Sequence, residues 1–171
     1  MRHFTDAIFE EINAEFQNNN KNLFPQSALR HRDGSLIKFY HGTKNNFTEF
    51  DPAKAGHGGP LGIGMYFTSK PDTSNKFGEI KTVYLNVKNP KLFKTKRQPR
   101  DFLVAMSKEY NINPQDIINE KKSLNQKITE LLQADGYDGV LCYFSDLNEI
   151  WCVVYEARQI KIIDNTNKNV L

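Results

Sequence analysis

Apolar residues recur along the chain with two periods, one typical of helices and one of strands. Near the N-terminus four large apolar residues are spaced four apart, which predicts an amphipathic helix: Phe4, Ile8, Ile12 and Phe16. Alternation of apolar and polar positions predicts strands in LIKFYH, MYFT, TVYLNVK, GVLCYF, IWCVVY and QIKII. Further helices are predicted from Pro71, over residues 102–110 and, as one long helix, from Asn113 to Leu132.

Strands dominate the middle and the end of the chain, so the predicted class is α+β. The 171 residues suffice for one domain with a buried core and an appendage. We assign residues 1–33 to an N-terminal amphipathic helix and linker, and residues 34–171 to the main domain. Within it, residues 42–64 are rich in glycine and proline and predict a long loop, a kind of segment that often carries function.

Net charge and hydropathy exclude several classes of protein. The charge of +3, from 23 basic and 20 acidic residues, is too small to indicate a nucleic-acid binder. The densest basic segment, residues 91–100, is interpreted as a surface loop, with a phosphate or acidic-partner contact as the alternative. No apolar run is long enough to cross a membrane, and the first residues do not form a usual secretory signal. We expect a soluble cytoplasmic monomer without a membrane partner, or one delivered into a host or target cell.

The two cysteines, Cys142 and Cys152, each lie within an apolar run, which is typical of buried, reduced thiols. Neither has other metal-ligating residues nearby, and the four histidines are scattered. We therefore expect no metal site.

Three features bear candidate chemistry. His41 and Gly42 stand at the end of a predicted strand, where a histidine is most often a core residue but a glycine lets a ligand approach the backbone. The glycine-rich loop GHGGPLGIGMYF matches neither the dinucleotide-binding pattern GxGxxG nor the phosphate-binding P-loop pattern GxxxxGK. Tyr66 and Phe77, with Ser74 between them, are either core residues or the walls of a slot for a flat ring.

A resemblance to the ADP-ribosyltransferase superfamily runs through six segments: FYHGT, NNFTEFDP, GIGMYFTSKPDTSNKFG, VYLNVKNP, DGYDGV and VVYEARQIK. The chain is most similar to the diphtheria-toxin and poly(ADP-ribose) polymerase branch, the His-Tyr-Glu type, in its small bacterial and phage members. The resemblance spans about residues 34–163. It implies an ADP-ribosyltransferase fold, with two small packed antiparallel sheets (a split β-sandwich), an NAD cleft and flanking helices.

The resemblance also implies roles for residues of the first strand. His41 would contact the ribose and adenosine side of NAD. Gly42 would bind the nicotinamide carboxamide through its backbone, and Thr43 matches the small polar residue that follows the glycine.

The second segment supplies the ring-binding residues in the same way. Tyr66 would stack on nicotinamide, and Ser74 would bind its carboxamide. Phe77 would close the other face of the ring, where the family usually has a tyrosine.

The family's catalytic carboxylate has no direct counterpart here. It usually stands four residues before the tyrosine of the last segment, where it stabilises positive charge on the ribose as the nicotinamide bond breaks. Counting back from Tyr155 reaches Trp151, and the nearest acid, Glu149, is two residues earlier, about 6.6 Å away along a strand. Either a bulge or loop shift brings Glu149 to the site, or Trp151 fills the position and the carboxylate is missing. We take Glu149, with His41 and Tyr66, as the candidate catalytic set, and Trp151 as a candidate NAD-binding residue.

The resemblance implies an NAD-dependent mono-ADP-ribosyltransferase that uses NAD as a substrate, needs no metal and modifies a macromolecule. We expect a protein acceptor. The alternatives are a catalytically impaired module that binds NAD or ADP-ribose, and an enzyme that modifies nucleic acid through the basic segment. The composition, rich in asparagine and lysine, is associated with AT-rich bacterial or phage genomes, so we expect a toxin, effector or phage role.

Overall fold

The computed structural model of the chain describes residues 22–55 and 58–163. The predicted helix from Phe4 to Phe16 lies outside the described residues. The strands are β1 (Phe39–Thr43), β2 (Met65–Thr68), β3 (Glu79–Leu85), β4 (Pro90–Thr95), β5 (Gly139–Phe144), β6 (Glu149–Val154) and β7 (Ile160–Ile162). The α-helices are α1 (Pro71–Asn75), α2 (Asp101–Glu109), α3 (Pro114–Glu120) and α4 (Leu124–Ala134), with short 3-10 helices at Pro52–Lys54 and Ala157–Gln159. Within these described ranges, every helix is too short or too polar to span a bilayer.

The strands form one hydrogen-bonded sheet in the order β4-β5-β6-β2-β1-β3-β7. Neighbouring strands are antiparallel, except that β4 and β5 are parallel, with Leu92 opposite Leu141. The α+β class is confirmed, whereas the two antiparallel sheets expected from the sequence are joined into one mixed sheet. A parallel pair needs a long connection between its strands, and here α2, α3 and α4 provide it.

The sheet is buried on both faces around β6. Cys152 and Val154 belong to one apolar cluster and Val153 to the other, because successive side chains of a strand point to opposite faces. Helices α2 and α4 cover the second face with Phe102, Met106, Ile128 and Leu132. Cys142 lies opposite Trp151 and in the other cluster from Cys152. Both thiols are free and buried, as the sequence predicts.

The basic segment 91–100 was wrongly predicted as a surface loop, because residues 91–95 belong to β4. The sequence pattern hides this strand, since β4 lies at the edge of the sheet and Leu92 is 70% exposed. Part of the positive charge is also locally paired. Lys91 forms an ion pair with Glu109 at 2.5 Å, and the Lys94 ammonium lies 5.7 Å from the centre of the Tyr143 ring.

The long helix predicted from Asn113 to Leu132 is in fact two helices, α3 and α4. Lys121 adopts a left-handed conformation with φ 52° and ends α3. Ser123 then begins α4 as its N-cap, with its hydroxyl accepting from the Gln126 amide at 3.1 Å. The apolar spacing continues across this break, so periodicity alone does not reveal it.

Part of the segment assigned to the linker packs against the sheet. Ser27 is 5% exposed, and its hydroxyl donates to the Leu85 carbonyl at 2.8 Å and accepts from the Val87 amide at 3.3 Å. Leu29 is buried in the same apolar cluster as Phe39. These contacts join residues 27–29 to the core, while the division of the chain at residue 33 stays a prediction.

Replacing Ser27 with alanine tests this connection. Ser27→Ala leaves the Leu85 carbonyl without its buried donor, so we expect the free energy of unfolding to fall by about 1–3 kcal/mol. Urea unfolding followed by circular dichroism measures the change. The matched control is Ser145→Ala, since that hydroxyl makes only a 3.5 Å contact to the Thr95 carbonyl, and its effect should stay below about 0.5 kcal/mol. Equal effects of the two substitutions would contradict the role given to Ser27.

Candidate active site

A gap opens in the sheet beside β1. On one side β1 pairs with β3 along its whole length. On the other side it pairs with β2 at a single position, where Tyr40 lies opposite Thr68. Residues 41–43 therefore have a paired strand on one side only, and their other side faces the gap.

His41 spans this gap. Its Nδ1 lies 2.8 Å from the carbonyl oxygen of Tyr66, and since a carbonyl only accepts, Nδ1 carries the proton and Nε2 of the neutral ring is an acceptor. The rings of Phe50 and Phe67 pack against the imidazole, with centroids 5.1 and 5.5 Å away. Burial lowers the pKa of His41 and outweighs the Tyr66 hydrogen bond, which raises it, so the ring is neutral at pH 7.

Gly42 allows α1 to lie directly on β1. A Cβ at this position would be 1.8 Å from the Ser74 carbonyl oxygen, so no side chain fits without moving the helix. The Ser74 side chain is 2% exposed, and its hydroxyl donates to the Tyr40 carbonyl at 2.9 Å. Pro71 begins α1 at a position where its missing N–H costs nothing, and Phe77 follows the helix at the rim of the gap.

Tyr66 connects β2 to the glycine-rich loop. Its hydroxyl donates to the Gly62 carbonyl at 2.6 Å and accepts from the Leu61 amide at 3.0 Å. Burial raises the pKa of Tyr66, so the phenol stays protonated and the donated hydrogen bond persists at neutral pH.

Helix α4 holds the same loop from its other side. The Asn125 amide donates to the Gly59 carbonyl at 3.0 Å, and the Thr129 hydroxyl accepts from the Ile63 amide at 2.8 Å. Neither contact could be predicted from the sequence, because a polar residue in an amphipathic helix gives no sign of a contact with a distant loop.

Six of the eight predicted site residues line one cavity of about 400 Å³, which we call the aromatic cavity: His41, Gly42, Tyr66, Ser74, Phe77 and Trp151. Phe77 is 62% exposed, which is unusual for a large aromatic side chain and leaves its ring available to a ligand. Seven further residues of the lining were not among the predicted site residues: Ala55, Gly58, Gly59, Pro60, Phe67, Thr68 and Thr73. The glycine density of GHGGPLGIG was the one available sign of the loop's part in the cavity.

A second cavity of about 550 Å³ adjoins the first and shares His41 and Tyr66 with it. Thr43 lines this second cavity and not the aromatic one. Its hydroxyl accepts from the Asn45 amide at 3.0 Å. The lining also includes charged side chains, those of Glu49, Asp51 and Lys54.

Glu149 and Trp151 lie on the same face of β6. Trp151 lines the aromatic cavity, whereas Glu149 does not. Glu149 is 4% exposed, and its Oε1 accepts from the Trp151 indole Nε1 at 3.1 Å. Register between β5 and β6 is continuous, with Phe144 opposite Glu149 and Cys142 opposite Trp151, so no bulge shifts the carboxylate along this pair. The carboxylate is therefore one hydrogen bond away from the cavity wall.

A family model described as ADP-ribosyltransferase in polyvalent proteins matches residues 31–170. The chain belongs to this ADP-ribosyltransferase family. The match includes both cavities and all seven strands of the sheet, which confirms the superfamily resemblance seen in the sequence. A search of curated proteins finds no match.

Membership of the family supports ADP-ribosylation as the kind of chemistry to which this domain is related. Among residues 22–55 and 58–163, no three His, Cys, Asp or Glu side chains form a group that could hold a metal ion.

The burial of His41 predicts a pH dependence of stability. The unfolded chain binds a proton at the usual histidine pKa of about 6.5, whereas the folded chain binds it only at lower pH. Stability is therefore complete above pH 6.5 and falls as the pH decreases from there towards the folded pKa. We expect urea unfolding between pH 7.5 and 5.5 to show a smaller loss of stability in His41→Gln than in the wild type.

The control is His31→Gln, which removes an exposed histidine at a turn and should leave the pH dependence as it is. An unchanged slope in His41→Gln would show that His41 does not set this dependence.

Proposed function

We propose that this domain binds NAD across the two adjoining cavities, transfers one ADP-ribose to a macromolecular acceptor and releases nicotinamide. One observation carries the proposal, namely the convergence of six predicted NAD-binding residues on the aromatic cavity. They come from β1, β2, β6 and the segment around α1, which are distant in sequence.

The aromatic cavity suits a nicotinamide ring. Tyr66 and Phe77 are aromatic walls, and covering the exposed Phe77 ring with a flat ligand removes apolar surface from water. The Ser74 hydroxyl gives its proton to the Tyr40 carbonyl, so its oxygen can accept from a carboxamide N–H. Gly42 has no side chain, which lets a ligand approach its backbone.

The second cavity suits the remainder of the dinucleotide. Because it shares His41 and Tyr66 with the aromatic cavity, one extended ligand can occupy both. The neutral His41 ring keeps Nε2 as an acceptor for a ribose hydroxyl, since Nδ1–H is bonded to the Tyr66 carbonyl.

Negative charge near the ribose favours cleavage of the bond between nicotinamide and the ribose. Nicotinamide leaves as a neutral ring while positive charge develops on the sugar, and a nearby carboxylate lowers the free energy of that charge. Glu149 is our candidate, and its contact with the Trp151 indole places it directly behind the wall of the aromatic cavity.

A module that binds NAD without transferring ADP-ribose is the second candidate function. The observation that favours it is the position of Trp151 on the aromatic cavity, with Glu149 buried behind it. The two functions differ in whether nicotinamide is released.

We expect the wild-type chain to release nicotinamide from NAD and to label an acceptor in a cell lysate when the NAD carries label on its adenylate half. His41→Ala and Tyr66→Ala should abolish both, because each removes a wall shared by the two cavities, while Phe77→Tyr should keep activity because it preserves the ring. The matched control is Tyr143→Ala, which makes the same truncation outside both cavities.

Digestion of the labelled product identifies the acceptor. Label removed by protease indicates the proposed protein acceptor, and label removed by nuclease indicates nucleic acid. A wild-type chain that produces neither free nicotinamide nor labelled product contradicts the transferase proposal.

Replacing Glu149 with glutamine separates the two functions. Glu149→Gln keeps the shape of the side chain and removes its charge, so a transferase should lose at least about 100-fold in kcat. NAD affinity should change by less than about threefold, as measured by quenching of Trp151, the chain's single tryptophan. Glu109→Gln, at an exposed ion pair with Lys91, is the control. Unchanged kcat in Glu149→Gln would exclude this carboxylate from the chemistry.

A further inference from the structure

Part of the glycine-rich loop closes on itself as a tight hairpin, residues 59–62, which we call the glycine hairpin. The amides of Gly59 and Gly62 each donate to the carbonyl of the other glycine, at 3.0 and 3.1 Å. Leu61, at the turn, is fully buried in the apolar cluster formed with α2 and α4, whereas Pro60 lines the aromatic cavity. The hairpin is therefore a wall of the cavity that is anchored in the core.

Helix α4 holds the hairpin with two side chains that lie one helical turn apart. The Asn125 amide donates to the Gly59 carbonyl at 3.0 Å. The Thr129 hydroxyl accepts from the Ile63 amide at 2.8 Å and donates to the carbonyl of Asn125 at 2.8 Å. Because a carbonyl only accepts and a backbone amide only donates, the direction of each bond is fixed. Neither side chain lines either cavity, and Thr129 is only 7% exposed.

The hairpin in turn holds Tyr66. The Tyr66 hydroxyl donates to the Gly62 carbonyl and accepts from the Leu61 amide. The fit is close, since a Cβ at Gly62 would be 2.7 Å from the Thr129 hydroxyl oxygen. A Cβ at Gly59 would be 2.8 Å from the Tyr66 ring. The place of the Tyr66 hydroxyl, and with it the orientation of the ring, thus depends on where α4 holds the hairpin.

We propose that Asn125 and Thr129 are positioning residues for NAD, because they hold the glycine hairpin and, through it, the Tyr66 ring. The contacts run from α4 to the hairpin, from the hairpin to the Tyr66 hydroxyl, and from the Tyr66 ring to the ligand. The inference rests on the proposed binding of nicotinamide beside Tyr66. It adds a helix that lies outside both cavities and whose polar side chains set the affinity for NAD.

Replacing Thr129 with valine tests the proposal. Thr129→Val keeps the shape of the side chain and removes both hydrogen bonds of the hydroxyl. We expect the KM for NAD, from the rate of nicotinamide release, to rise about five- to tenfold, because the ring is no longer held in place. The dissociation constant of NAD, from quenching of Trp151, should rise by the same factor. The kcat should change by less than about twofold, since α4 makes no contact with the Glu149 carboxylate or the His41 ring.

Two threonine variants separate this role from a general loss of stability. Thr129→Ser keeps the hydroxyl and should restore the KM of the wild type. Thr95→Val removes a hydroxyl that is equally buried, at 8% exposure, and that donates to Asp101 at 2.8 Å, outside both cavities. This matched control should leave the KM unchanged. Asn125→Asp removes the other bond to the hairpin, should also raise the KM, and decides the test if Thr129→Val does not fold.

A double-mutant cycle tests whether α4 acts through Tyr66. Tyr66→Phe keeps the ring and removes the hydroxyl that the hairpin holds, so the KM should rise. If Thr129 acts only through that hydroxyl, adding Thr129→Val to Tyr66→Phe should change the KM by less than about twofold. Effects that multiply in the double variant would contradict the proposed order of contacts.

Hydrogen exchange of backbone amides, followed by NMR, provides a measurement without NAD. Thr129→Val leaves the bond from the Leu61 amide to Tyr66 in place, so faster exchange at Leu61 reports a loosened hairpin. Exchange in β6 should stay as in the wild type, whereas a merely structural role for Thr129 would raise both.

The outcomes are separable from those of the proposed function. An unchanged KM in Thr129→Val, a Thr129→Ser variant without rescue, a KM raised equally by Thr95→Val, or unchanged exchange at Leu61 overturns this inference alone. A wild type that neither binds NAD nor releases nicotinamide overturns the proposed function, and this inference with it.

Discussion

The close contact between Gly42 and the Ser74 carbonyl is the constraint on which the site depends. With a Cβ only 1.8 Å from that oxygen, any other residue at position 42 would separate α1 from β1. The contact brings the Ser74 hydroxyl to the Tyr40 carbonyl and leaves Phe77 at the rim of the gap between β1 and β2. One missing side chain thus sets the position of a hydroxyl, an aromatic ring and the backbone that faces the cavity.

The second general property of the site is the direction of its hydrogen bonds. Donors on the cavity wall are bonded to carbonyls of β1, β2 and the glycine-rich loop, which stabilises the site before any ligand arrives. The same bonds determine which acceptors a ligand meets, among them the Ser74 oxygen and the Nε2 of a neutral His41. The contacts that stabilise the site therefore also decide which hydrogen-bonding atoms face a ligand.

Along β6 the chain departs from the residue pattern that the superfamily resemblance implies. Trp151 stands on the cavity wall where the resemblance leads one to expect a carboxylate, and Glu149 is held behind it by the indole N–H. Continuous pairing with β5 fixes both residues on the same face of the strand. The proposed chemistry thus depends on a charge that acts beside the tryptophan, and the hydrogen bond between them orients that charge.

Period-two alternation was enough to predict most of the strands and the burial of both cysteines, because these strands pack at least one face against an apolar cluster. The order of residues in FYHGT and GIGMYFTSKPDTSNKFG likewise identified five residues of the aromatic cavity. The local pattern did not reveal β4, because this strand lies at the edge of the sheet and its Leu92 is exposed. It also did not reveal the break between α3 and α4, because the apolar residues keep their helical spacing on both sides of the left-handed Lys121. It also missed Thr68, Asn125 and Thr129, whose partners are supplied by the fold. Composition and spacing are local properties, whereas the direction in which a hydroxyl donates depends on which strand or helix lies beside it.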